Sequence, residues 1–430
     1  MIVVPGSVQS EGGMAAMRCS IRRSGGRGGK RLAVLATVAA VAVSGLTTAG
    51  CEAGVSHAVA ERTAPTVAES LRSDLRKYLD AHGRKDHFSA LSLRVTYADQ
   101  RPDISVSAGT TRYGGGGQVP GDAMWQIGSN TKAFTSVLLL QLEAEGKLSL
   151  HDKLGEWLPR YPAWRDVTIG QLLSMTSGIP SYTEQSAFLE DFDADPSTRF
   201  TAERLVSYAE GRPLGPAKYA YSNTNYLLAQ MIVERASHDS YSDRLTERII
   251  EPLGLHDTCL PAECRPDTAS RMPTPYSVQS ILPTHVNKAL PPLGLSWAQG
   301  AGGLVSSLKD VTTWDKALYG GRLLPAAQQR ELESLTSMKT SKPITTVTAG
   351  DPLGFGLGVA KHADPVTGTV WFYEGATLGN RVLHLYFPKS RMVIVVAVNS
   401  SVEEDTLPDL AGTVYKTLSA NDAHDAHDRS

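Results

Sequence analysis

Cysteine is scarce in this chain, with four residues in 430. Cys19 and Cys51 lie in or at the end of the N-terminal stretch, while Cys259 and Cys264 share one loop, TCLPAEC. That spacing matches no common zinc site, and no His-x-x-x-His pair supports one. No metal or organic cofactor is therefore expected. An excess of basic charge is also missing. Six of the 42 basic and one of the 44 acidic residues fall in the first fifty, so the remainder carries 36 against 43. Nucleic acid needs a basic surface and is excluded as a partner. The apolar run Leu32–Leu46 is short for a full membrane span. Gly114 to Gly117 lack the framing of a phosphate loop and read as a flexible loop. No internal repeat is evident.

The first fifty residues have the layout of an export signal. Basic residues from Arg18 to Arg31 precede the apolar run, and small residues follow in TTAGC. Cys51, directly after Ala49-Gly50, resembles the lipidated cysteine of a bacterial lipoprotein, although Thr48 stands where leucine is usual. Ordinary secretion and an uncleaved anchor stay open. Residues 51–65 read as a tether. An extracytoplasmic protein is expected, touching a membrane only through an N-terminal lipid. In that compartment a short-loop disulfide between Cys259 and Cys264 is plausible, with two unpaired thiols as the alternative.

Met124 to Leu150 holds the chemistry. Phe134, Val137, Leu138 and Leu142 share one helical face, and Gly146 is a natural stop. Ser129 stands where that helix should begin and would serve as an N-cap. Lys132, three residues on, shares its face. A serine hydroxyl needs a base, and a desolvated lysine can supply one near neutral pH. The helix N-terminus adds N–H groups for an oxyanion.

Elsewhere, Val67, Leu71, Leu75 and Tyr78 mark an amphipathic helix. Phe88–Tyr97 and Asp103–Tyr113 read as strands. The middle of the chain is mainly helical, with an acidic, irregular stretch at 186–200. Strand-like runs return from Gly354, and a helix from Thr406 to Leu418 closes the chain, leaving 419–430 as a disordered tail. Strands near both ends with helices between imply an α/β protein of the α+β type. Its antiparallel sheet is assembled from both termini, flanked by helices, with a mainly helical insertion at about 137–295.

Tyr221-Ser222-Asn223 offers a phenol for proton relay and an amide for hydrogen bonding. Trp371 to Gly379 reads as a strand edge where glycine admits a substrate backbone. With IGSNTKAFTS, GKLSLHDKL, TIGQLLSMTSGIPSY, YAYSNTNYLLA, IIEPLGLHDT, GAGGLVSS and EGATLG in order, residues 70–418 resemble the serine β-lactamase and penicillin-recognising DD-peptidase family. The resemblance is strongest to class C β-lactamases, DD-carboxypeptidases and related esterases. It implies one hydrolase domain over 66–418, with Ser129 as acylated nucleophile, Lys132 as proton acceptor and Tyr221 as general acid/base. Asn223 would bind the substrate amide, and the N–H groups of Ser129 and Ala376 would form the oxyanion hole. The family's third motif is Lys or His, any residue, then Gly. Here Tyr373-Glu374-Gly375 stands in its place, and tyrosine brings no fixed positive charge. Arg381 lies near enough in sequence to replace that charge; otherwise it is a solvated strand residue.

The expected activity is hydrolysis through an acyl-enzyme on Ser129. Cell-wall peptides ending in D-alanyl-D-alanine are the preferred substrate class, with β-lactams as acylating mimics. A class C-like β-lactamase, an esterase and a non-catalytic penicillin-binding protein remain the alternatives.

Overall fold

One antiparallel sheet draws its strands from both ends of the chain. The computed structural model describes residues 65–428 apart from Gln279, Glu403 and Glu404. The expected signal at 1–50, Cys51 and nearly all of the 51–65 tether lie outside the described residues.

The helix α1 (Val67–His82) buries Leu71, Leu75 and Tyr78. Thr66 starts it with a capping box: its Oγ1 accepts from the Glu69 N–H, and Glu69 accepts from the Thr66 N–H. The strands β1 (Ala90–Thr96), β2 (Ile104–Arg112) and β3 (Gly115–Gln118) follow. Contrary to expectation, the glycine run is an edge strand, since its backbone pairs with β2 and needs no side chain to do so. The short β4 (Met124–Gln126) leads to α2 (Thr131–Ala144), and α3 (Asn223–Ser237) comes much later. Then come β5 (Val305–Ser307) and α4 (Leu308–Tyr319). The later strands are β6 (Leu335–Ser337), β7 (Pro343–Ile344), β8 (Leu353–Phe355), β9 (Ala360–Asp364), β10 (Gly368–Ala376), β11 (Arg381–Tyr386) and β12 (Val393–Val398). Among the described residues the large sheet has ten strands, ordered β3-β2-β1-β12-β11-β10-β9-β8-β6-β7.

The central strand β12 is VIVVAV and is buried throughout. Its side chains alternate between two cores. Val393, Val395 and Ala397 join the core that contains α2, α3 and α4. Ile394, Val396 and Val398 join the smaller core under α1 and the closing helix α5 (Leu407–Asp428). The same alternation sends Tyr373 of β10 into the first core and Glu374 to the opposite face.

Two expectations are corrected. The acidic stretch from 186 contains a helix, Ser186–Ala194, because Phe188 and Phe192, four residues apart, are buried beneath its charged face. The closing helix does not stop at Leu418 but continues to Asp428. Just before its extra turns Thr417 donates to Asp74 at 2.6 Å, and within them Asp422 pairs with Arg101 at 2.8 Å.

Cys259 and Cys264 are disulfide-bonded. Cys259 also exchanges both backbone hydrogen bonds with Val305 of β5, at 3.0 and 2.9 Å. Closing so short a loop contributes about 2 kcal/mol in chain-entropy terms. Replacing both cysteines by serine is expected to lower the Tm by about 2–4 °C in a thermal melt. An unchanged Tm would mean that the β5 pairing holds the loop without the bridge.

Candidate active site

The turn carrying Ser129 is wedged between two strands. β4 pairs with β5, and the Ile127 N–H donates to Leu304 O at 3.0 Å, which fixes the chain just before the turn. Gly128 then takes a left-handed φ of 51°. A Cβ there would lie 2.8 Å from the Ala376 backbone, and one on Gly375 would lie 1.9 Å from Ile127 O. Glycine at both places lets the end of β10 touch the turn. Ser129 and Ala376 therefore line one small space. The helix itself starts two residues later than expected, after a 3-10 turn Gly128–Asn130, and no side-chain cap is formed there. Ser129 is not spent on capping.

Lys132 is wholly buried in the first turn of α2. Its Nζ lies 3.0 Å from Ser129 Oγ, 2.8 Å from Asn223 Oδ1 and 2.6 Å from the Ala301 carbonyl oxygen. Burial holds its pKa well below that of an ordinary lysine. As a neutral amine it has two N–H groups and one lone pair. The two carbonyl oxygens take the N–H groups, which leaves the lone pair for the Ser129 proton. Asn223 is held for this task, since its N–H donates to Ser181 Oγ and its Nδ2 donates to Thr183 Oγ1, both at 3.1 Å.

The Tyr221 hydroxyl lies 2.5 Å from Ser129 Oγ. Part of the residue stays accessible, but the dense protein around its hydroxyl pushes its pKa up to about 12, against the opposing pull of Ser129 and Tyr373. It is therefore a phenol. Lys132 and Tyr221 are thus separated by environment, with one pKa pushed down and the other up. Tyr373 is buried beside Tyr221, yet its own hydroxyl has no well-formed hydrogen bond.

Arg381 does not enter this site. Its Nε donates to Ser400 O at 3.1 Å, and its guanidinium pairs with Asp405. It lies opposite Ala376 in the β10–β11 register, and its side chain turns to the face of Glu374. Strand alternation puts it on the wrong side of the sheet from Ser129, so it cannot replace the missing charge.

Several supporting groups were not anticipated from sequence. Asn130, beside the serine, donates from Nδ2 to Ile127 O at 2.8 Å and to Val382 O at 3.0 Å. Its Oδ1 must then accept from His384 Nδ1, 3.0 Å away, and His384 Nε2 accepts from the Tyr319 hydroxyl at 3.0 Å. Burial pushes the His384 pKa down to about 3, so this strut is neutral. A lone histidine in a strand carries no pattern that would have revealed it. Tyr182 and Trp297 wall the space over Ser129, with the Tyr182 hydroxyl donating to Trp297 O. That space measures about 10 Å³, room for no more than one water. Among the described residues, no group of three or more metal-ligating side chains exists.

A buried serine–lysine pair with a phenol across from it, set between a helix start and a strand edge, defines a serine hydrolase of the acyl-transfer kind. Residues 55–416 match the family described as beta-lactamase, and the chain belongs to that family. A penicillin-binding protein of Bacillus subtilis (strain 168) is 26% identical over 298 residues, covering 66% of this chain and 62% of its own length. The chain thus spans about six-tenths of that relative. Among solved structures, a D-stereospecific amidohydrolase from a Streptomyces species is 27% identical with a TM-score of 0.64, covering 76% of this chain and 94% of its own. D-amino acid amidase from Ochrobactrum anthropi SV3 shares the fold at 20% identity, with a TM-score of 0.66 and coverage of 83% and 99%.

The proton states generate a kinetic test. Only an uncharged Lys132 can act as base, so kcat/KM rises with pH through a pKa below that of ordinary lysine. It falls again as pH approaches about 12, where Tyr221 ionises. Lys132→Met is expected to lower kcat/KM by about 10³-fold on an activated ester. A residual activity that keeps the same ascending limb would exclude Lys132 as its source.

Proposed function

We propose that the protein hydrolyses small D-aminoacyl amides whose leaving group carries no carboxylate. The observation behind this reading is the missing cation. Tyr373 occupies the third-motif position, Arg381 is paired with Asp405 behind the sheet, and among the described residues no arginine or further lysine lines the space at Ser129. A peptide ending in free D-alanine would place its carboxylate in a buried site with nothing to pair it, which is costly. A neutral amide or ester leaving group avoids that cost. The D-stereospecific activity in the name of the Streptomyces relative supports the choice of stereochemistry.

In this mechanism Ser129 Oγ attacks the acyl carbonyl while its proton passes to Lys132 Nζ. The N–H groups of Ser129 and Ala376 hold the oxyanion. Tyr221 donates its proton to the departing nitrogen, and the ammonium of Lys132, 4.7 Å from its ring centre, steadies the phenolate. Proton return to Tyr221 and attack by water then release the acid and restore Ser129.

The second reading is a D-alanyl-D-alanine carboxypeptidase of cell-wall peptides, which the sequence motifs favour. The two are separated by kcat/KM on D-alanine p-nitroanilide, L-alanine p-nitroanilide and a peptide ending in D-alanyl-D-alanine. The amidase reading expects the D-anilide to exceed the carboxylate-bearing peptide by at least about tenfold, the worth of one modest interaction. Equal or better turnover of the peptide would sink it. A persistent, non-turning-over adduct would favour a penicillin-binding role instead.

We also propose that the protein works outside the cytoplasm, held by a lipid on Cys51. The layout of residues 18–51 and the Cys259–Cys264 bridge support this. Mass analysis of the mature N-terminus is expected to find lipidated Cys51; an unmodified start at Ala53 or later would contradict it.

A further inference from the structure

Behind the catalytic strand, on the face away from Ser129, the sheet and α5 leave a gap over β10 and β11. β10 and β11 present Val370, Phe372, Leu383 and Leu385 there. The helix opposite offers Pro408, Asp409, Ala411, Gly412, Thr413 and Lys416, which do not fill the gap. The resulting cavity holds about 320 Å³, at the lower end for small-molecule sites. Its walls combine these apolar side chains with polar and charged ones. Glu374, the middle residue of Tyr373-Glu374-Gly375, lines the cavity while only 8% exposed. Its Oε2 is buried and meets no N–H or hydroxyl donor; the carboxyl is hydrogen-bonded to that of Asp405 instead.

Behind Glu374 lie Asp405 and Arg381, two carboxyls sharing one guanidinium. The other charged groups facing the cavity are Lys416 and Asp409 on α5 and Asp364 and His362 on β9. Burial disfavours a charge on His362, so carboxyls outnumber cations around the cavity. We propose that this cavity is a second ligand site, separate from the catalytic one, which takes a compact hydrophobic ammonium ion with its cationic head on Glu374 and its apolar body against Phe372, Leu383 and Leu385. The ammonium supplies the second cation that the Glu374–Asp405 pair lacks. Burial and the adjacent Asp405 hold the Glu374 carboxyl protonated above the usual carboxylate range. Binding an ammonium therefore displaces that proton.

Calorimetry with phenethylamine, phenethyl alcohol and phenylacetate tests the site. The amine is expected to bind at least about tenfold more tightly than the alcohol, and phenylacetate not at all. The heat should vary with the ionisation enthalpy of the buffer, reporting proton release. The same amine affinity is expected in Ser129→Ala and on an acylated enzyme, which keeps this test independent of the catalytic assignment. Glu374→Gln should keep the alcohol's affinity and erase the amine's advantage. Gly412→Trp is the blocking variant: a Cβ at Gly412 meets nothing within 4 Å, so the ring can enter the cavity without unfolding α5. Lost binding with an undiminished Tm is expected. An amine that binds no better than the alcohol, or that still binds Gly412→Trp, would overturn the proposal.

Discussion

The site depends on where the proton of one buried amine goes. Lys132 sits in the interior with carbonyl oxygens of Asn223 and Ala301 against it. An ammonium there would keep little of its hydration, and among the described residues no carboxylate lies within ion-pair distance of it. The neutral amine fits the donor and acceptor count, and its remaining lone pair points to Ser129. Asn223 is fixed by Ser181 and Thr183, Ala301 by the short helix Gln299–Gly302, and Ser129 by two glycines that let β10 and the turn meet. Each of these elements comes from a different part of the chain. The helical region and the sheet are both needed to make one neutral lysine.

The strand β10 serves two faces at once. Tyr373 and Gly375 face the catalytic turn, while Glu374 between them faces the cavity under α5. A charge that family members place in front of the strand is absent here, and ionisable groups gather behind it instead. The guanidinium of Arg381 illustrates the division. It lies one strand away from the catalytic turn in the register, yet the period of two directs it to Asp405.

Much of this was legible in the sequence, for identifiable reasons. Ser129 and Lys132 are three residues apart across a 3-10 turn that runs into a helix, so local geometry alone brings them together. Strands such as Val393–Val398 announce themselves by composition, and the order of motifs implied a sheet made from both termini. Tyr221 and Asn223 needed the resemblance to a known family, because nothing local joins them to a serine some ninety residues away. The helix at Ser186–Ala194 was hidden because its acidic surface outweighed Phe188 and Phe192. The face of Arg381 could not be read without the register. His384 and Asn130 meet across 254 positions, and no short pattern encodes such a pair.

The most direct measurement is rapid-quench intact mass, with peptide mapping, of protein mixed with the p-nitrophenyl ester of D-alanine. The account predicts an alanyl adduct on Ser129 that forms before steady turnover, builds faster as pH rises through the Lys132 transition, and is absent in Lys132→Met. Turnover of the ester with no adduct on Ser129, or an adduct on another residue, would contradict it.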